Sequence, residues 1–146
     1  MKGWFELRIP ALSQNESFAR SVVALFALQA GDWSVAELNE IKTAVSEAIT
    51  NSIIHAYEGN PNQGEIVVKG HVTAGTLEVT VIDYGQGIGD VARAREPLFT
   101  TKSHEERSGL GFTVMENFMD ELTVSSSPGQ GTTVRMVKHL IATTVQ

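Results

Sequence analysis

Thr76-Leu77-Glu78-Val79-Thr80-Val81-Ile82-Asp83-Tyr84-Gly85-Gln86-Gly87-Ile88-Gly89 is a β-branched run that ends in an acid and three spaced glycines. Its first seven residues predict a strand. Glu65 to Val72 has the same character and precedes it across Thr73-Ala74-Gly75, so the two form a hairpin that delivers Asp83 to its end. Asp83-Tyr84-Gly85-Gln86-Gly87 is then open to two readings. One is a simple turn, where Asp and Gly are common. The other is a ligand loop, in which the carboxylate accepts from an adenine amino group and the glycines let the backbone approach a flat base or a phosphate.

Upstream, Ser34 and Glu37 form a capping-box pattern that opens a helix from about Val35 to Tyr57, before Gly59-Asn60-Pro61 breaks it. At about 100° per residue, Leu38, Ile41, Val45, Ile49 and Ala56 share a face that packs on a sheet. Glu47 and Asn51, four apart, lie together on nearly the opposite side, framed by Ala44 and Ile54. Taken alone the pair reads as a solvated Glu and a surface Asn; the apolar frame reads instead as the wall of a pocket. In that second reading the Asn51 amide oxygen is a hard ligand for Mg²⁺. Glu47 is a general base able to take a proton from an attacking hydroxyl or water, worth roughly 10²–10⁴ in rate.

Downstream, regular patterning fails from Gly85 to Gly109, a length that suggests a lid over a ligand. Ser108-Gly109-Leu110-Gly111 then opens a third helix, expected over Leu110 to Met119. Free N–H groups at such a start, with the helix dipole, favour an anion. Arg107 just before it and Lys102 in the lid would add positive charge toward phosphates. Leu122 to Ser126 and Thr132 to His139 form a second hairpin across Pro128-Gly129-Gln130-Gly131. Thr132 either offers a hydroxyl near the base or simply starts a strand. Metal, adenine and phosphates thus fall on three separate segments, an ATP site that is not a P-loop.

Near the start, Phe5 to Ile9 alternates and stops at Pro10, a half-buried strand, and Ser13 with Glu16 repeats the capping pattern. The helix it opens runs over Phe18, Val22, Leu25, Phe26 and Leu28 toward Gly31. With 146 residues, 42% of them hydrophobic, the chain is expected to form one domain, residues 1–146. A formal charge of −6 argues against nucleic acid or an anionic membrane as the main partner. There is no cysteine for a disulfide or a thiolate metal site, and no window approaches the ~20 apolar residues of a membrane span. The cell interior is the expected compartment.

In this order the segments resemble the Bergerat-fold ATP-binding superfamily of gyrase, histidine kinases and MutL. Glu47, Asn51 and His55 match its N box, Asp83 to Gly87 its first glycine box, and Gly109-Leu110-Gly111 its second. The resemblance implies an α+β two-layer sandwich, a mostly antiparallel mixed sheet covered by helices on one face, with an ATP lid. Three longer runs, Ala11 to Arg20, Pro97 to Lys102 and Glu106 to Asp120, are similar to the anti-sigma F factors of endospore-forming bacteria.

That likeness implies a homodimer that holds sigma factor F inactive and a serine kinase that phosphorylates an anti-anti-sigma partner with Mg-ATP. It makes Glu47 the base, Asn51 the Mg²⁺ ligand, Asp83 the adenine reader and Arg107 a γ-phosphate contact. Gly85, Gly87, Ile88, Thr100, Thr101, Lys102, Ser108, Gly109, Leu110, Gly111, Thr132 and His55 complete the implied ATP or ADP site. Glu16 and Arg20 match positions that grip protein partners; without the resemblance they read as a surface helical ion pair. The alternative function is a nucleotide-gated sigma-binding protein without significant kinase turnover.

Overall fold

The computed structural model describes residues 2–56, 64–96 and 110–141, with the backbone alone at His55 and Ala56. The expected helix end at Tyr57 and the lid residues Thr100, Thr101, Lys102, Arg107, Ser108 and Gly109 lie outside the described residues. Five strands, β1 (Gly3–Pro10), β2 (Glu65–Thr73), β3 (Thr76–Asp83), β4 (Glu121–Ser126) and β5 (Thr132–His139), form one sheet in the order β1-β2-β3-β5-β4. Every pairing among them is antiparallel, so the described part of the sheet contains none of the parallel pairs a mixed sheet would have.

Register follows from which face is apolar, because a slip by one residue would turn each strand inside out. Phe5, Gly70, Val79, Met136 and Leu122 stand in one row across the sheet. That inner face, with Ile66, Val68, Val72, Leu77, Val81 and Val134, carries the core. The other face shows Glu6, Arg8, Lys69, Glu78, Arg135 and Glu121 in cross-strand ion pairs.

Helices α1 (Gln14–Ala27), α2 (Val35–Asn51) and α4 (Gly111–Phe118) cover the inner face, and a single turn, α3 (Val91–Ala94), follows the glycine loop. The α2 start is the expected capping box: the Ser34 hydroxyl accepts from Glu37 N at 3.0 Å, and Glu37 Oε1 accepts from Ser34 N at 2.8 Å. Ile41, Val45 and Ile49 bury fully against the sheet side. After Asn51 the helix widens into a π-helical turn, Ser52–Ala56, the kind of local defect that often marks a functional position.

The start of α1 corrects the sequence expectation. Ser13 lies in the helical region at φ −53°, ψ −38° with no side-chain cap, and Glu16 turns to Arg20 and Ser46 instead. A tertiary contact has won over the local cap. The buried stripe of α1 is Ala19, Val23, Phe26 and Ala27, whose small residues let it lie close to α2, while Phe18 and Leu25 are 51% and 70% exposed. No helix among the described residues is long and apolar enough to cross a membrane.

Candidate nucleotide site

Four segments converge at one end of the sheet: the end of α2, the end of β3, the β4–β5 turn and the first turn of α4. Asp83 is the pivot. Only 4% exposed, it stands at the last residue of β3, where the alternation Leu77, Val79, Val81 carries it to the inner face. Its Oδ1 accepts from the backbone N–H of Gly85 at 3.1 Å and of Thr132 at 3.2 Å, and its Oδ2 accepts from Ser52 Oγ at 2.9 Å. Burial pushes the carboxyl pKa above the usual carboxylate range, with the bonds from Gly85, Ser52 and Thr132 opposing that shift. An ionised carboxylate has about four lone-pair positions. Described residues use three, which leaves Oδ2 one to offer an amino group such as that of adenine.

Two glycines let this loop dock on the β4–β5 turn. Gly87 and Gly131 have φ of +78° and +80°, and a Cβ at either would collide with backbone, of Ser127 and of Asp83 respectively. The turn is tied in by Gly129 N donating to Gln86 O at 2.7 Å. Ser126 Oγ accepts from Ile88 N at 2.7 Å and donates to Gly131 O at 2.8 Å, and it lies 2.8 Å from Thr132 Oγ1. At Gly87 the positive φ and the bare α-carbon let this loop dock on the β4–β5 turn. Thr132 starts β5, donates its backbone N–H to Asp83, and has its hydroxyl against Ser126.

Glu47 and Asn51 are half-buried on the side of α2 that faces the start of α4. Gly111 is the first residue of α4, and a Cβ there would stand 3.2 Å from Glu47 Oε1 and from Asn51 Nδ2. The bare α-carbon thus leaves open the space over a carboxylate and an amide. Of the residues expected to frame the pair, Ala44 belongs to the core and Ile54 is half-buried. Leu110 caps α4 on one side of this gap. The backbone of His55 lies in the π-helical turn. Among the described residues no group of three or more His, Cys, Asp or Glu could hold a metal ion.

Sequence reasoning missed Ser52 and Ser126. Ser52 is one step of about 100° from Asn51, toward the sheet, and that position was the available signal. Ser126 carried no signal beyond its place before a glycine-containing turn. Elsewhere, Glu16 and Arg20 pair at 3.2 Å as the i, i+4 spacing predicts. Both also meet Ser46 on α2, with Arg20 Nη1 donating to its hydroxyl at 3.4 Å and that hydroxyl donating to Glu16 Oε2 at 2.5 Å.

Residues 9–138 match the histidine kinase-like ATPase domain family. The chain is 55% identical over 135 residues to the anti-sigma F factor of Caldanaerobacter subterraneus subsp. tengcongensis, covering 92% of each chain. It is 52% identical over 143 residues to that of Anoxybacillus flavithermus, covering 96% of this chain and 94% of the relative. The solved RsbU and RsbW domains of Rv1364c from Mycobacterium tuberculosis share the fold, with a TM-score of 0.63 at 22% identity over 97% of this chain and 35% of that one. A nucleotide-binding, ATPase-type domain is thus in hand, and the chain belongs to the anti-sigma F factor family.

Proposed function

We propose that this chain binds and inhibits sigma factor F and, as a Mg-ATP-dependent protein kinase, phosphorylates a serine of an anti-anti-sigma partner. The observation that carries the reading is the bare α-carbon of Gly111 set against Glu47 and Asn51, with Ser52, the next residue, donating to a buried Asp83 to which the described residues leave one lone pair. Sigma F as partner is supported by the name its relatives bear. Residues 1–146 act as a single domain in the cytoplasm, where ATP and sigma factors meet.

Mg-ATP supplies the transferable phosphoryl group and neutralises its charge. The chain's own residues do the rest. Asp83 accepts from the adenine amino group through Oδ2, and its other bonds keep that oxygen from turning away. Gly85, Gly87 and Ile88 form the backbone wall beside the base, and Thr132 anchors Asp83 from the opposite strand. Asn51 offers its amide oxygen to the cation. Glu47, one turn earlier, would take the proton of the acceptor serine hydroxyl as the serine oxygen bonds to the γ-phosphorus and the bond from that phosphorus to ADP breaks, releasing ADP. Leu110, Gly111 and the lid residues Thr100, Thr101, Lys102, Arg107, Ser108 and Gly109, with His55, complete the ATP or ADP site, with Arg107 toward the γ-phosphate. Glu16 and Arg20 grip the protein partners.

The homodimer forms around β1. Among the described strands this one lies at the sheet edge, Trp4 is 74% exposed on it, and Leu25 at the end of α1 and Leu28 just beyond it add apolar surface. The test uses Glu47→Ala. Transfer should fall by about 10²–10⁴, while calorimetric affinities for ATP and for sigma F stay nearly unchanged. Loss of binding equal to the loss of transfer would overturn the role of Glu47. A wild type that fails to bind sigma F would overturn the anti-sigma reading.

A further inference from the structure

Between α1 and α2 lies a groove of about 270 Å³ lined by Arg20, Asn39, Lys42, Thr43 and Ser46. Its chemistry is cationic on a chain whose formal charge is −6. Lys42 is half-buried and makes no hydrogen bond or ion pair with any described residue. The positions three and four residues away on its own helix are Leu38, Asn39, Val45 and Ser46, so no acid on α2 can neutralise it at helical spacing. Thr43 Oγ1 spends its proton on the Asn39 backbone carbonyl at 2.8 Å, so the positive charge in the groove comes from Lys42 and Arg20. Arg20 spends Nη1 on Ser46 and Glu16.

We propose that this groove seats a carboxylate side chain of the protein substrate and so docks that substrate beside Glu47. The inference rests on the kinase reading above and adds to it the recognition element on α2. Position is the first reason. Thr43 lies one turn, about 6 Å, before Glu47 on the same helix, and Ser46 is its neighbour, so the groove ends where the base begins. A substrate acid held by Lys42 and Arg20 stands on the order of 6–10 Å from the hydroxyl to be phosphorylated, two or three residues of extended chain. Charge is the second reason. Glu16, hydrogen-bonded to the lining residue Ser46, puts a negative charge beside the groove, so a singly charged carboxylate fits better than a doubly charged phosphate.

The test compares wild type with Lys42→Glu, Lys42→Gln and Lys42→Arg. The affinity of each for the unphosphorylated anti-anti-sigma partner is measured by calorimetry, alongside its KM and kcat for transfer and its Kd for ATP. Lys42→Glu should raise the partner Kd and KM about tenfold, with Lys42→Gln between it and wild type, and Lys42→Arg close to wild type. Values of kcat and of the ATP Kd should not move, which separates docking from a damaged fold. Should Lys42→Glu fail to fold, Lys42→Gln carries the comparison. Partner affinity unchanged by loss of the Lys42 charge overturns the groove, as does a wild type that does not bind this partner. Binding that depends on Lys42 in a wild type that transfers nothing upholds the groove while the kinase reading falls.

Discussion

Replacing Asp83 by Asn keeps the shape of the side chain and changes one lone pair into a donor. In wild type the carboxylate receives three hydrogen bonds, from Gly85 N, Thr132 N and Ser52 Oγ. Asparagine can keep both backbone donors on Oδ1, and its Nδ2 can donate to Ser52 if that hydroxyl turns to accept. Folding stability of Asp83→Asn should therefore stay within about 1 kcal/mol of wild type, whereas Asp83→Ala strands the buried Thr132 N–H and Ser52 hydroxyl and the part-buried Gly85 N–H and should lose about 2–4 kcal/mol. Nucleotide binding should respond in the opposite manner. The second Nδ2 hydrogen now faces the adenine amino group, so a charge-assisted bond worth about 1.5–3 kcal/mol is lost and the ATP Kd rises about 10- to 150-fold. A 6-oxopurine triphosphate, which offers an acceptor there, should lose much less.

Acidity gives the same experiment a second readout. Burial raises the folded pKa of Asp83 above the ordinary carboxylate range. Below the unfolded pKa both states are protonated and the carboxyl costs nothing. As pH rises through the window up to the folded value, the unfolded chain ionises first, so wild type loses stability relative to Asp83→Asn. The stability of the variant minus that of wild type should climb across that window and then level off. Chemical denaturation over a pH series, with calorimetric titration of ATP and of inosine triphosphate, measures both. An Asn variant that binds ATP as wild type does would refute adenine reading by Asp83. One as unstable as Asp83→Ala would refute the hydrogen-bond assignment.

Gly111→Ala adds a methyl 3.2 Å from Glu47 Oε1 and Asn51 Nδ2; it should weaken Mg-ATP binding in calorimetry with little change in thermal stability, since Ala favours a helix by about 1 kcal/mol over Gly. Gly131→Ala meets both a φ of +80° and the Asp83 backbone, and should lower stability by about 1–2 kcal/mol or more in denaturant titration, with nucleotide affinity falling too. Lys138, nearly buried, donates to Phe118 O at the end of α4 at 2.7 Å and pairs with Glu40 on α2 at 3.1 Å. Lys138→Met should cost about 1–3 kcal/mol, seen as a lower denaturation midpoint.

Much of this architecture is local and so was legible. The two hairpins announce themselves by β-branched runs across glycine turns, and the α2 start by Ser34 and Glu37, because those signals are made by neighbours in the chain. Ser13 and Glu16 carry the same letters and yield no cap, because Ser46, thirty positions away, takes the Glu16 carboxylate. The exposure of Phe18 and Leu25 is hidden for a related reason: α1 has two apolar stripes, and only tertiary packing chooses the one with the small residues. At the site, Asp83, Glu47 and Asn51 are visible as residue types at helical or strand-end spacing. Ser52 is not, since its partner is 31 residues on, and the docking of Gly87 on Ser127 depends on a contact between two loops that no spacing rule connects.

Transfer of labelled γ-phosphate from Mg-ATP to a purified anti-anti-sigma protein, in a single turnover with wild type beside Glu47→Ala, tests the central claim most directly. Label should move to a serine of that protein with wild type and not with the variant, although both bind ATP. Tight ATP binding by wild type with no transferred label would contradict the account and leave a nucleotide-gated sigma-binding protein in its place.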